Sequence, residues 1–348
     1  VRLRFDSGLE LRCTPGHRIW TTNRGYVEAE NLTREDKVLA LDLPTPAVNA
    51  NWALPEAALQ AHAPGLGERR TALHLPEEWS TDLAHYLGWL IGDGTTSSTV
   101  STIYGSAEDR TEVLPRHEQF LTAINDGRCP KVSEQTNGTA QLRFGHGQFF
   151  RFLSGLGVTR ALGADKVVPA AIMQAPPEIS AEFLRGLFDA DGTVVRNDAK
   201  GSYAGLGSTS RQLLIDVQRL LSTFGISSRI YQIRKGSEDG YLHTLADGAQ
   251  RRYPQSAGYD LRITGKSLDV FAAQVGFTLS RKMSLLAESV TSRTSYDTDR
   301  TVRLVERTDE GIELTYNLSE PRNHSYVANG VVVRNCSEYM HLDNSSCN

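Results

Sequence analysis

Tyr86-Leu87-Gly88-Trp89-Leu90-Ile91-Gly92-Asp93-Gly94 and Leu184-Arg185-Gly186-Leu187-Phe188-Asp189-Ala190-Asp191-Gly192 share one pattern. Each is an apolar run with a glycine inside it, and each closes on an acidic residue followed by glycine. The run from Thr81 to Ile91 fits a helix with Ser80 or Thr81 as its N-cap. A second helix is expected from Ser180 to Phe188, ending at Asp189-Ala190-Asp191-Gly192. Gly88 and Gly186 would let the two helices pack closely along a pseudo-twofold axis. Asp93 and Asp191 would then project from the helix ends toward one point. Two carboxylates meeting there can hold a divalent metal. One such motif alone reads as a turn closing a core helix. Two of them, each followed by strand-like sequence and then a helix (Arg116 to Asn125, Arg211 to Phe224), make an internal repeat.

The pair resembles the two motifs of the LAGLIDADG homing endonucleases. Lys166-Val167-Val168-Pro169 is similar to the K-x-x-P run before that family's second motif. The resemblance implies a monomeric pseudo-twofold αββαββα unit that cuts double-stranded DNA. It implies Mg²⁺ at Asp93 and Asp191, and Lys282 near the cleavage centre. DNA across saddle-shaped sheets would meet Arg229, Arg234, Lys235, Arg251, Arg252 and Arg262, although each alone reads as a solvated surface charge.

Outward from the repeat, the texture is β. Val1, Leu3 and Phe5 alternate with Arg2 and Arg4, Asp6-Ser7-Gly8 is a turn, and Leu9 to Cys13 is the returning strand. Residues 46–76 are rich in Pro and Ala and read as a connector. Thr301 to Val305 and Ile312 to Tyr316 alternate like strands. Asn329-Gly330 suits a type I′ turn between Ser325–Ala328 and Val331–Val333. Asn335-Cys336 is chemically suggestive. An Asn side-chain amide can attack its own backbone carbonyl and break the following peptide bond, and a thiolate can accept an acyl group.

His324-Ser325-Tyr326-Val327-Ala328-Asn329-Gly330-Val331-Val332-Val333-Arg334-Asn335-Cys336 resembles the closing motifs of inteins. Cys13-Thr14-Pro15-Gly16-His17 resembles the intein TxxH motif, and Gly25-Tyr26-Val27-Glu28-Ala29-Glu30-Asn31-Leu32 resembles the segment that follows it. The resemblance assigns roles. His17, supported by Thr14, activates the upstream scissile peptide. His324 and Asn335 drive Asn cyclisation, and Cys336 is the acyl acceptor, with no cofactor for splicing. Arg334 stands where His is usual and can donate hydrogen bonds to an oxyanion but cannot act as acid or base. Asn317 stands where many inteins have Asp. The chain begins like a strand already under way, so a preceding segment with the first nucleophile is expected as a partner, along with the exteins. Cys336 to Asn348 resembles the active-site tract of adenosylcobalamin-dependent ribonucleotide reductases, with Cys336 and Glu338 matching the radical cysteine and the catalytic carboxylate. Adenosylcobalamin would serve that host alone.

The expected fold class is α+β: an all-β Hint splicing domain, 1–50 and 293–335, split by a connector at 51–78 and an endonuclease at 79–292. Its repeats span about 79–160 and 161–292, and 336–348 is a host remnant. The 348 residues suffice for two or three domains at roughly 100–200 each. A net charge of -4 points to no partner but does not exclude a local basic groove. Four cysteines, with no Cys-x-x-Cys pair or zinc spacing, favour a reducing cytoplasm, and no apolar run approaches a membrane span. Two other readings compete. One is a free-standing endonuclease or maturase with β flanks, and the other is a Hedgehog-like autoprocessing domain that cleaves without ligating. A decayed endonuclease that only binds DNA is the alternative for the insert.

Overall fold

The computed structural model describes residues 1–41, 44, 50–63, 72–97, 99–160, 163–197, 201–244, 250–291, 301–316, 318 and 320–335. Two hydrophobic cores form among them. The larger gathers residues from Leu54 to Leu286, and the smaller gathers Leu3 to Val38 with Val302 to Val333.

The motif helices, Thr81–Asp93 and Pro177–Asp191, lie side by side at the centre of the larger core. Ser80 caps the first, its Oγ accepting the Leu83 N–H at 3.2 Å. The second starts at Pro177, earlier than Ser180. Pro177 has no N–H to lose in a first turn, and Ser180 lies inside the helix, donating its hydroxyl to the Ile172 carbonyl at 3.2 Å. Each motif helix leads into an antiparallel hairpin, a helix (Leu114–Ile124 or Arg211–Thr223), two more strands and a further helix. In the first sheet the order is Gly94–Thr96, Val100–Tyr104, Ala140–Phe144, Lys131–Glu134. In the second it is Gly192–Val195, Tyr203–Ser208, Gly258–Thr264, Arg229–Arg234. The period-2 alternation fixes the faces: Ala140, Leu142 and Phe144 are buried, as are Leu261 and Ile263, so Gln141, Arg143, Asp260 and Arg262 face outward. The second half adds the hairpin Ser237–Thr244 and Gln250–Gln255 and the helix Ser280–Thr291.

The connector does more than connect. Leu54, Ala58, Ala61, Leu73, Leu75 and Trp79 are buried in the larger core. His62 bridges the Leu59 and Leu75 carbonyls, and Gln148 accepts the Leu73 N–H while donating to the His62 carbonyl. Ala58 and Ala61 fall on two short helical turns, Glu56–Leu59 and Gln60–His62, and Leu54, Leu73, Leu75 and Trp79 lie outside them, so no period is displayed.

In the smaller core Arg2–Phe5 lies between Glu10–Arg12 and Leu304–Thr308. A second sheet runs Thr301–Val302, Val38–Leu39, Arg18–Thr21, Val331–Arg334, Ser325–Ala328, with Gly25–Glu28 on Arg18–Thr21. Asn329 and Gly330 take φ of 47° and 83°, the two positive values a type I′ turn requires. Ile312 to Tyr316 forms no strand. Ile312 is 103% exposed, and Leu314 and Tyr316 are also exposed. Alternation describes which faces a strand would present and does not by itself supply a partner, and none of the described strands pairs with this stretch.

Candidate active site

The motif helices touch backbone to backbone. A Cβ on Gly88 would lie 2.1 Å from the Phe183 carbonyl oxygen, and one on Gly186 would lie 2.2 Å from that of His85. At the helix ends a Cβ on Gly92 would lie 2.6 Å from Ala190 Cβ and 3.3 Å from Asp191 Oδ2. The ends converge, and Asp93 and Asp191 converge with them. Burial raises both carboxyls above their ordinary range, and for Asp191 the Asp93 charge adds to it, pushing it up to about 6. Both also sit at helix C-termini, where the backbone dipole opposes negative charge.

Two lysines counter that charge. Lys166 Nζ donates to the Gly92 carbonyl at 2.6 Å, closing the first motif helix. Lys282 Nζ donates to the Asp189 and Phe188 carbonyls at 2.6 and 3.1 Å, closing the second. Burial lowers the Lys282 pKa, while Asp189, Asp109 and Asp191 raise it. Lys282 therefore lies at the C-terminal end of the second motif helix. Lys166 was legible only as part of a motif, not as the partner of Lys282. Among the described residues no cluster of three or more His, Cys, Asp or Glu could hold a metal. Asp93 and Asp191 fit a Mg²⁺ ion that completes its shell with carbonyls, water and substrate oxygens, and their mutual repulsion is what a divalent cation would relieve.

Behind the carboxylates runs a buried hydrogen-bonded chain that sequence reasoning missed. Asp189 accepts the Thr278 and Leu279 backbone N–H groups at 3.0 and 3.3 Å. His85 Nε2 lies 3.0 Å from Asp189 Oδ2, and His85 Nδ1 lies 2.9 Å from His117 Nε2. His117 Nδ1 lies 2.8 Å from the Tyr104 hydroxyl, itself 2.9 Å from Thr102 Oγ1. The carboxylate only accepts, so His85 Nε2 donates to it. With both imidazoles neutral the order follows: His117 donates to His85, Tyr104 donates to His117, and Thr102 donates to Tyr104. Burial, His85 and Arg116 hold His117 well below the ordinary imidazole range. The chain joins both motif helices to the segment that leads into Lys282. Tyr104→Phe leaves His117 Nδ1 buried without a donor and is expected to cost about 1–3 kcal/mol in denaturant unfolding.

The other candidate residues are spread over the second half and the smaller core. Arg229 and Arg262 face outward from the second sheet, with Arg229 3.9 Å from Asp6 Oδ2. Arg234 Nε donates to the Ser256 carbonyl at 3.0 Å, Lys235 and Arg252 are exposed, and the Arg251 side chain lies outside the described residues. In the smaller core, Ile19 pairs with Val333, so the strand that follows His17 lies beside the strand that precedes Asn335. The His17 ring lies 6.4 Å from the Tyr326 ring and burial lowers its pKa, while the His17 backbone N–H donates to the Thr14 carbonyl at 3.1 Å. The Asn335 N–H donates to the His324 carbonyl at 3.1 Å, and its Nδ2 donates to the Glu320 carbonyl at 3.2 Å. His324 is exposed, with φ of 50°. Arg334 does not reach toward the junction's carbonyl in any described contact. Its guanidinium lies over the Tyr26 ring at 5.5 Å. Glu320 is a further residue the sequence did not single out. Its carboxylate accepts the Arg322 and Asn323 N–H groups, which lowers its pKa and shapes the turn under Asn335. Asn317, Cys336 and Glu338 lie outside the described residues.

Relatives of this chain include two curated proteins with unrelated names. The ribonucleoside-diphosphate reductase NrdEB subunit alpha of Bacillus subtilis is 24% identical over 359 residues, covering 97% of this chain and 30% of the relative. The tRNA-splicing ligase RtcB of Pyrococcus abyssi is 25% identical over 381 residues, covering 97% of this chain and 41% of the relative. The chain thus spans less than half the length of these curated relatives. Among solved structures, mesophilic variants of the homing endonuclease I-DmoI align with 60% of this chain and 97% of that one, at 15% identity and a TM-score of 0.41. No helix of the described residues is long and apolar enough to cross a membrane. The family model described as the LAGLIDADG-like domain matches residues 178–276, so the chain contains a LAGLIDADG-like domain that includes the Pro177–Asp191 motif helix, the second sheet and Arg262.

Proposed function

We propose that the chain is an intein: a Hint-type splicing element carrying a Mg²⁺-dependent homing endonuclease within it. The observation that carries the nuclease is the convergence of Asp93 and Asp191 at two glycine-packed helix ends, between two sheets whose outward faces bear arginines. Mg²⁺ held by both carboxylates would polarise a phosphodiester and supply an activated water. The protein's own part is placement. Gly88 and Gly186 set the carboxylates, Lys166 and Lys282 offset their charge, and the sheets orient the duplex. Supercoiled plasmid bearing the uninterrupted host sequence should be linearised with Mg²⁺ and spared in EDTA, and plasmid interrupted by the element's own coding sequence should be spared throughout. A protein that leaves both plasmids intact is a decayed enzyme.

The splicing part rests on the pairing of Ile19 with Val333, which lays the strand after His17 beside the strand that leads to Asn335. The Asn335 side-chain nitrogen attacks its own backbone carbonyl carbon, the bond to Cys336 breaks, and the departing nitrogen takes a proton. A neutral His17, its pKa lowered by burial, suits proton exchange at the upstream scissile peptide. The aligned relatives bear unrelated names, a reductase and an RNA ligase, each over 97% of this chain. That is the pattern of one element carried in different hosts. The Cys336-Ser337-Glu338 tract makes a ribonucleotide reductase the host of choice, with Cys336 serving splicing first and reduction afterward. With the upstream segment supplied, mass spectrometry should find the tract after Asn335 released or ligated, and Asn335→Ala should retain it.

A further inference from the structure

The outward faces of the two four-stranded sheets carry the same arrangement at matching register positions. In the first sheet Arg143 pairs with Ser101 on one side and Lys131 on the other. In the second Arg262 pairs with Gly205 on one side and Arg229 on the other. Each arginine stands on the third strand of its sheet, between a small residue and a cation. Each also donates its Nε–H to the side chain two residues before it: Arg143 to Gln141 Oε1 at 3.0 Å, and Arg262 to Asp260 Oδ2 at 2.6 Å. The first buttress is itself tied down. Gln141 Nε2 donates to Ser101 Oγ at 3.1 Å, and its Oε1 accepts from Gln135 Nε2 at 3.2 Å. The Arg262 guanidinium also lies over the Tyr203 and Tyr231 rings, 4.6 and 5.1 Å from their centroids.

A phosphate contact needs charge and reach, which a free side chain supplies. A base contact needs a guanidinium whose plane is fixed before the DNA arrives, since ordering it afterward costs affinity. Pinning Nε fixes the plane and leaves both Nη groups for a partner. That edge matches the O6 and N7 acceptors of guanine, which the major groove presents and a β-ribbon can enter to read. We propose that Arg143 and Arg262 are base-reading residues, each taking one guanine, at pseudo-symmetric positions in the two halves of the DNA target. Their neighbours Lys131 and Arg229 supply charge to the backbone. This rests on the DNA-binding reading above. The charged, ring-stacked buttress of Arg262 makes it the more selective of the two.

The test is selection of bound duplexes from a randomised library by the full chain in EDTA, followed by affinity measurements on single-position variants. The wild type should enrich a guanine in each half, with Arg262→Ala erasing one and Arg143→Ala the other. Replacing the guanine should weaken wild-type binding by roughly 5- to 150-fold and leave the matching alanine variant unchanged. Asp260→Ala should loosen the preference at the Arg262 position, and Asp260→Asn, which keeps an acceptor, should restore most of it. Uniform weakening on every sequence, with a salt slope lower by about 1 per arginine, would assign both residues to phosphates and overturn the proposal. A consensus that neither substitution alters overturns it as well, with the DNA-binding reading intact. A wild type that enriches nothing overturns both.

Discussion

Gly88→Ala and Gly186→Ala should each fail to give a folded protein. The added methyl would stand 2.1 or 2.2 Å from a backbone carbonyl oxygen of the opposite helix, a distance no Cβ adopts. A flexible side chain could yield at such a contact, but the backbone of a packed helix cannot. Relief requires the two helices to part, and they form the centre of the larger core, with Leu87, Leu184 and Leu187 wholly buried beside them. Parting them also opens the His85–Asp189 contact at 3.0 Å and leaves a buried carboxylate without its ring donor. The expected loss is about 4–5 kcal/mol or more, in the range reserved for core disruption, against a total stability of about 5–15 kcal/mol. Circular dichroism and analytical gel filtration of each variant beside the wild type decide it. A Gly88→Ala protein that melts within a few degrees of wild type would mean that the helices are not in backbone contact.

Asp191→Asn should separate stability from catalysis. Folding raises the Asp191 carboxyl to about 6, first through burial and then through Asp93. Between the ordinary carboxylate range and about 6, the native state holds a proton that the unfolded chain has released. The contribution of this group is therefore fully present at low pH and is lost as pH rises through about 6. The amide cannot ionise, so the variant should be no less stable than wild type at pH 7.5 and should lack that part of the pH dependence. Millimolar Mg²⁺ should raise the melting temperature of the wild type at pH 7.5 and leave that of the variant nearly unmoved, since only the wild type presents two carboxylates. Cleavage should fall by roughly 10³-fold, the loss of several kcal/mol of metal-mediated stabilisation. Thermal scans from pH 4.5 to 7.5, with and without Mg²⁺, report the first effects, and timed digests report the last.

The parts of this molecule that were legible from sequence are those in which one short segment carries the whole physical reason. Gly88 and Asp93 lie five residues apart on one helix, and both the close approach and the projecting acid follow from that segment. Asn329-Gly330 between Ser325–Ala328 and Val331–Arg334 likewise contains its own turn geometry. Where the reason is shared between distant segments, the sequence was silent or misleading. Ile312 to Tyr316 alternates as a strand should but pairs with none of the described strands and stays exposed. The stretch from Leu54 to Trp79 looks like a connector because its buried residues follow no helix or strand period, and their burial comes from packing on the larger core, in part through Gln148 of Gly147–Gly155. The hydrogen-bonded chain from Asp189 to Thr102 draws on two motif helices, a third helix, a strand and a loop, and its histidines look like ordinary helix residues in the text. Lys166 and Lys282 become a pair only once both are seen closing helices that pack on each other.

If Asp93 and Asp191 act together on DNA, neither carboxylate can be spared. The most direct measurement is Mg²⁺-dependent linearisation of plasmid bearing the uninterrupted host site by wild type, Asp93→Asn and Asp191→Asn, all folded and at equal concentration. The expected result is a single double-strand break by the wild type and none by either variant in the same time. Linearisation by Asp191→Asn at the wild-type rate would contradict joint action of the two carboxylates.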